Sequence, residues 1–195
     1  MRVIAGRYRR RQLRTLPGLK LRPTSDRLRE TLFNVVAAGP LPLEGSCWFD
    51  LFAGSGAVGI EALSRGAAFA CFVESHAAAA HLIAQNLGSL EIRDSEIIQR
   101  PAAMALRRLA ARGLQCDFCF LDPPWADSAA YAETLTLLAT LPLLRPNAIA
   151  IAEHSRRFEP GHAFSAAAGT LQRFRKLEQG DAALSFYHLT SPQRR

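Results

Sequence analysis

Five short apolar runs, Cys47 to Phe52, Ala70 to Glu74, Glu96 to Gln99, Cys116 to Asp122 and Ala148 to Glu153, alternate along the chain with stretches of helical character. Each run has the length of a strand, and a continuous apolar run of that length suits a strand buried on both faces. Strands joined by helical crossovers form βαβ units, so the chain is constrained to a mainly parallel sheet covered by helices on both faces. Near the end, Leu171 to Leu177 and Ala183 to Leu189 flank Gly180-Asp181, which predicts an antiparallel hairpin at the sheet edge. With 195 residues the chain suits one such domain. Ahead of the sheet, Val3 to Leu13 alternates loosely and turns at Gly6, the pattern of a small basic β-hairpin. Thr24-Ser25-Asp26 then offers caps for a helix over 24–38, in which Leu28, Leu32, Val35 and Val36 recur at helical spacing up to Gly39-Pro40. The division expected is a basic N-terminal extension over 1–38 and the sheet domain over 39–195.

Charge is distributed unevenly between these parts. The net charge is +7, yet residues 1–30 hold ten Lys or Arg against two acids, so the rest of the chain sums to −1. Basicity confined to one segment points to a polyanion partner, with Arg7, Arg9, Arg10, Arg11, Arg22, Thr24 and Arg27 as candidate phosphate contacts. Of the 24 basic residues 22 are Arg, whose planar fork suits phosphate. No apolar run approaches the roughly 18 residues of a membrane span, and Met1 to Arg7 lacks the apolar stretch of a secretory signal, so a cytoplasmic protein is expected. The four cysteines, Cys47, Cys71, Cys116 and Cys119, lie in or beside apolar runs and read as buried thiols. Cys116 and Cys119 have the spacing of half a zinc site, but a strand would point them to opposite faces and no second pair completes the set, so no metal is expected. The five histidines lack ligand spacing and read as helix, edge or surface positions.

The first chemical motif is Asp50-Leu51-Phe52-Ala53-Gly54-Ser55-Gly56-Ala57-Val58-Gly59-Ile60-Glu61, joining the first strand to its following helix. Its glycines let the backbone turn sharply and let a ligand approach without Cβ interference. The G-x-G-x-x-G spacing also occurs in dinucleotide oxidoreductases, where a pyrophosphate lies at this turn. Asp50 argues otherwise, because a carboxylate would repel a pyrophosphate and attract the ammonium of a methionine moiety. Glu74 closes the second strand, where it can accept from both ribose hydroxyls of a nucleoside. The loop residues Phe52, Ala53, Gly54, Ser55 and Gly56, with Asp50, Glu74 and the adjacent Ser75, are therefore the candidate cofactor contacts.

The second motif, Asp122-Pro123-Pro124-Trp125, follows the fourth strand. Ligands of open α/β sheets lie at the carboxyl edge, and two prolines stiffen the loop that meets them. The nitrogen of a heteroaryl amine has its lone pair drawn into the ring, so methylating it requires that nitrogen to pyramidalise. Acceptors on its two N–H bonds favour the change. The Asp122 carboxylate and the Pro123 carbonyl are the candidate acceptors, Trp125 the surface on which an extruded base stacks, and Asp122 a further cofactor contact. Other exocyclic amines, such as adenine N6, fit the same chemistry, and a nicotinamide-dependent oxidoreductase is the alternative from another class.

Arg22-Pro23-Thr24-Ser25-Asp26-Arg27-Leu28-Arg29-Glu30-Thr31-Leu32-Phe33-Asn34, taken with Asp50 to Arg65, Asp122 to Trp125 and Phe186-Tyr187 behind Gly180-Asp181, resembles the RsmD family of 16S ribosomal RNA guanine-N2 methyltransferases. The resemblance covers nearly the whole chain. It implies a Rossmann-like class I methyltransferase with a seven-stranded, mainly parallel sheet, preceded by the small hairpin and helix. It implies S-adenosyl-L-methionine as donor, no metal, and as partner 16S ribosomal RNA or the assembling small ribosomal subunit. The sequence carries no signal of oligomeric state, and a monomer is favoured. Two positions depart from the family pattern. Pro101 stands where Asn or Asp is common near the adenine amino group, which leaves the backbone N–H of Ala102 as the adenine partner. Trp125 replaces the more frequent Phe or Tyr, a larger stacking face. Asn34 and Asn86 match family positions and suit either backbone or cofactor-loop partners.

Overall fold

The computed structural model describes residues 1–15, 25–167 and 169–190. The chain forms two compact units, Met1–Pro101 and Ala102–Arg195. In the first, α1 (Asp26–Ala37) precedes β1 (Cys47–Leu51), α2 (Ala57–Ser64), β2 (Phe69–Val73), α3 (Ala77–Ser89) and β3 (Ser95–Ile98). The strands run β3-β2-β1 and pair in parallel. All five residues of β1 are buried, as a parallel strand covered on both faces requires. Helix α2 is buried along all eight residues, and its shortness and small side chains let it lie close against β2. Gly59 makes the closest approach, since a Cβ there would stand 2.4 Å from the Phe72 ring.

Helix α1 starts at Asp26, capped by Ser25, whose Oγ accepts from the Leu28 N–H at 3.1 Å. The expected start at Thr24 lies outside the described residues. Leu28, Leu32, Phe33 and Val36 form its buried stripe, and Phe33 stacks on Trp48 of β1 with ring centroids 5.3 Å apart. The Arg65 guanidinium covers the Phe33 ring at 5.0 Å.

The N-terminal hairpin differs from the expectation. Only Arg2 and Gln12 form a bridge, and residues 6–11 are wound into turns by Arg9 N–H donating to Gly6 and Arg11 N–H donating to Tyr8. A ladder fails because α2 takes up the donors it would need. Ile4 and Ala5 donate to the Glu61 carboxylate at 2.8 and 3.0 Å, Arg7 to the Ser64 carbonyl at 2.7 Å, and Tyr8 to Ser64 Oγ at 3.0 Å. Val3 and Leu13 are buried beneath the segment, so it is a packed strap.

The second unit holds α4 (Ala102–Ala111), β4 (Cys116–Leu121), α5 (Ser128–Thr140), β5 (Leu144–Ser155), β6 (Ala163–Ala166), β7 (Gly169–Gln179) and β8 (Ala182–Thr190). Its strands run β4-β5-β8-β7-β6, with β4 and β5 parallel and the other neighbours antiparallel. The hairpin at Gly180-Asp181 is present, closed by Gln179 opposite Ala182. Strand β6 was not expected, and with it the described residues hold eight strands where seven were anticipated. Its sequence, Ala-Phe-Ser-Ala, contains no β-branched residue to mark it.

All four cysteines are buried, and none is in a disulfide among the described residues. The strand register shifts between Cys116 and Phe118, which breaks the alternation behind the opposite-face argument for Cys116 and Cys119, and the Cys116 thiol donates to the Leu143 carbonyl at 3.6 Å. Burial, then the Cys119 contact, pushes the Cys116 thiol well above its ordinary value. Among the described residues no three potential metal ligands converge, and no helix is long and apolar enough to cross a membrane.

Candidate active site

The glycine loop leaves β1 through Phe52, whose φ of 63° is left-handed. A bulky residue held there marks a backbone fixed by its surroundings. Two carboxylates hold the backbone that follows. Asp50 lies within β1, not at its end, is 2% exposed, and accepts from the Gly59 N–H at 2.8 Å. Burial raises its pKa to about 8, against the Gly59 hydrogen bond, with the nearby Glu74 charge acting in the same direction as burial. Glu74 follows β2 directly, and its two oxygens accept from the Gly54 and His76 N–H groups, each at 2.8 Å. Gly56 N–H donates to the Ala53 carbonyl at 2.7 Å, and Ala53 N–H to the Val73 carbonyl at 2.9 Å. Three loop amides, those of Ala53, Gly54 and Gly56, and the Gly59 amide in the first turn of α2 thus already have acceptors inside the protein. A dinucleotide pyrophosphate would need such amides free and would face the two acids instead. Each Glu74 oxygen keeps a lone pair for a hydroxyl donor. Ser75 is exposed beyond it, and Ser55 presents its carbonyl to the Asn86 amide at 3.0 Å.

In the second unit, Asp122 is half-buried directly after β4, Pro123 buried, and Trp125 half-buried. The loop closes as a turn, with Asp127 N–H donating to the Pro124 carbonyl at 2.7 Å, and Asp127 then caps α5 by accepting from Ala130 at 3.0 Å. The Pro123 carbonyl, expected to be open, has a partner. The buried Tyr131 hydroxyl lies 3.2 Å from it and 2.9 Å from the Glu153 carbonyl, so one proton is shared between them. Burial raises the Tyr131 pKa, with the Asp122 charge next in effect, and keeps the phenol a donor. Its ring packs on Phe158 at 4.9 Å. A carbonyl has two lone pairs, so Pro123 retains one for an amine. His154 is wholly buried in β5, which corrects its reading as an edge or surface position. Its Nδ1 is 2.8 Å from the Ser155 carbonyl and its Nε2 2.9 Å from Ser185 Oγ, and desolvation lowers its pKa. Ala102 is the first residue of α4, and first-turn amides have no acceptor within their own helix.

Of the candidate phosphate contacts, Arg7, Arg9, Arg10, Arg11 and Arg27 are exposed, whereas Arg22 and Thr24 lie outside the described residues. Alternating directions along a strand would turn Arg10 away from Arg9 and Arg11, but these residues occupy turns and all three face solvent. Arg11 reaches the Ser89 carbonyl at 3.0 Å, and Arg7 lies 5.3 Å over the Tyr8 ring.

The comparisons with known proteins bear on both clusters. The family model described as "Conserved hypothetical protein 95" matches residues 1–188. The chain belongs to this family, the RsmD family. A member from Escherichia coli K12, named Ribosomal RNA small subunit methyltransferase D, is 39% identical over 138 residues, covering 71% of this chain and 66% of its own length. YlbH of Bacillus subtilis, named as a candidate rRNA methyltransferase, is 38% identical over 160 residues, 82% of this chain and 85% of its own. The solved structure of yhhF, a methyltransferase candidate from Escherichia coli, matches with a TM-score of 0.79 at 33% identity, covering 98% of this chain and 99% of that one. The Rossmann-like α/β fold of the RsmD family is therefore the fold of this chain.

Sequence reasoning left Tyr131 unnamed and gave Glu61, the last residue of the glycine motif, no role. A lone Tyr on a helix and an acid at the tail of a glycine motif carry no spacing signal, and only the fold brings them to backbone groups distant in the chain.

Proposed function

We propose that the chain is an S-adenosylmethionine-dependent methyltransferase acting on the exocyclic N2 of a guanine in small-subunit ribosomal RNA. The observation that carries the reading is that Glu74 accepts the Gly54 amide of the glycine loop and Asp50 the Gly59 amide in the first turn of α2, while the Ala53 and Gly56 amides are satisfied by main chain. This arrangement suits a cofactor with a cationic amino acid end and a ribose better than one with a pyrophosphate. Asp50 is the counter-charge for the ammonium, Glu74 the acceptor for ribose hydroxyls, and the Ala102 amide the donor toward adenine. Phe52, Ala53, Gly54, Ser55, Gly56 and Ser75 complete the contacts. When bound, S-adenosylmethionine supplies a methyl group made electrophilic by a sulfonium.

The Asp122 carboxylate and the remaining lone pair of the Pro123 carbonyl accept the two N–H bonds of the guanine amine and draw its nitrogen toward a tetrahedral shape. Trp125 stacks on the extruded base, which costs least to unstack in a loop. Held by these two acceptors, the amine would present its lone pair to the methyl group that the bound donor would supply. The nitrogen then gives up one proton toward Asp122 and water. Residues 1–38 serve as the RNA-binding extension, in which Arg7, Arg9, Arg10, Arg11, Arg22, Thr24 and Arg27 supply affinity without sequence information. The names of the relatives, a ribosomal RNA small subunit methyltransferase and a candidate rRNA methyltransferase, support the substrate class. Asp122→Ala tests the mechanism in single-turnover methylation with both substrates saturating. Cofactor binding is retained and turnover falls by roughly 10²- to 10⁴-fold. Turnover within about threefold of the parent would refute the role of Asp122.

A further inference from the structure

Asn86 sits on α3 with no solvent exposure, and its side chain makes three hydrogen bonds to main chain. Its Oδ1 accepts from the Arg14 N–H at 2.9 Å, and its Nδ2 donates to the Arg14 carbonyl at 3.2 Å and to the Ser55 carbonyl at 3.0 Å. The side chain thus pairs with Arg14 as an opposing strand residue would, and its second amide proton holds the glycine loop. Two further contacts follow the same path. Arg11 donates to the Ser89 carbonyl at 3.0 Å, and the Ser55 hydroxyl lies 3.7 Å from the Met1 sulfur, at the other end of the strap. Met1 and Leu13 are themselves joined by a backbone hydrogen bond of 2.9 Å. Both ends of the arginine-bearing strap are therefore linked to Ser55, in the loop assigned to the cofactor, the Met1 end through the Ser55 hydroxyl and the Arg14 end through Asn86.

We propose that Asn86 is a positioning residue that couples the cofactor loop to the basic strap, so that cofactor and RNA each tighten the binding of the other. This rests on the functional reading above. A ligand that fixes the Ser55 carbonyl also fixes the amide donating to it, and with it the main chain at Arg14. The ordering of strap and loop is then shared by two binding events, and the second ligand meets a strap already ordered. Because the coupling is a free energy between sites, it must have the same size in both directions.

The test measures four affinities. In-vitro transcribed small-subunit ribosomal RNA is titrated with and without saturating S-adenosylhomocysteine, which cannot donate a methyl group, and S-adenosylhomocysteine is titrated with and without RNA. In the parent protein each ligand improves the affinity of the other by the same factor, roughly 5-fold or more. In Asn86→Ala the factor falls to about 1, while RNA affinity without cofactor changes less than about threefold. Arg14→Gln, which removes a charge but keeps the main-chain contact, weakens RNA binding and retains the factor. A purely structural Asn86 would lower both affinities and leave their ratio intact. Should Asn86→Ala not fold, amide hydrogen exchange on the parent chain decides, with S-adenosylhomocysteine alone slowing exchange at Leu13 and Arg14. Unchanged exchange there, or a factor of 1 in the parent with both ligands bound, overturns the coupling. Failure of either ligand to bind alone overturns the functional reading beneath it.

Discussion

Replacing Glu61 by Ala perturbs the strap at its anchor. The carboxylate is wholly buried and accepts from Ile4, Ala5 and Arg65 Nε at 2.8, 3.0 and 2.7 Å, with the equally buried Arg29 Nε 4.0 Å away. Desolvation lowers the Arg29 pKa against the pull of Asp26 and Glu61, so this guanidinium depends on its acids. Removing one partner of a buried ion pair costs about 3–5 kcal/mol. The two strap amides add about 1.5–3 kcal/mol each only while they stay dry. Peeling of the strap limits that addition, since water then reaches the amides in exchange for exposing Val3 and Leu13, at about 1.5–3 kcal/mol per side chain. A total of about 6–11 kcal/mol follows, and at about 2–4 °C per kcal/mol for a chain of this size the Tm falls by at least roughly 12 °C. Arg65→Met, at the rim of the network, costs about 1 kcal/mol. Differential scanning calorimetry gives the Tm, and tryptic cleavage after Arg7 to Arg11 reports the strap directly. If Glu61→Ala melts within about 2 °C of the parent with the strap equally resistant, the buried carboxylate does not hold it.

Three further outcomes follow from the geometry. Asp50, raised to about 8 by burial, is mostly neutral at lower pH, and a cationic ligand binds its ionised form. Cofactor affinity therefore rises with pH toward that value, and binding at neutral pH releases a proton, read by calorimetry in buffers of different ionisation enthalpy; no release contradicts the assignment. Tyr131→Phe frees the Pro123 carbonyl and loosens the acceptor turn, lowering turnover by roughly 3- to 30-fold at unchanged KM for RNA, and unaltered kinetics contradict the positioning role. Changing Arg9, Arg10 and Arg11 together to Gln flattens the salt dependence of log K for RNA by roughly two units, at about 0.7 per single-strand phosphate; parallel slopes reduce the strap to a solvated face.

What the sequence made legible is what periodicity and spacing encode. Strand β1 and the glycine loop stand out because a doubly buried strand must be apolar and the following turn needs small residues. Asp50 and Asp122 could be singled out by their place relative to strands, though Asp50 proved to lie inside β1, facing the Gly59 amide. Contacts between distant residues carry no such signal. Glu61 binds amides 57 and 56 residues away, and Asn86 one 72 away. The strap was misread as a hairpin for the same reason, because the acceptors that break its ladder belong to α2. Strand β6 escaped because the antiparallel edge it joins, and not its own composition, makes it a strand.

The central claim is tested most directly by incubating the protein with unmodified small-subunit ribosomal RNA and methyl-labelled S-adenosylmethionine, digesting the product to nucleosides and identifying the labelled one by mass spectrometry. The expected label is on N2-methylguanosine at a single position, and it is absent when Asp122→Ala replaces the parent over the same interval. Label on N6-methyladenosine, or no label on naked RNA and assembled subunits alike, would contradict the account.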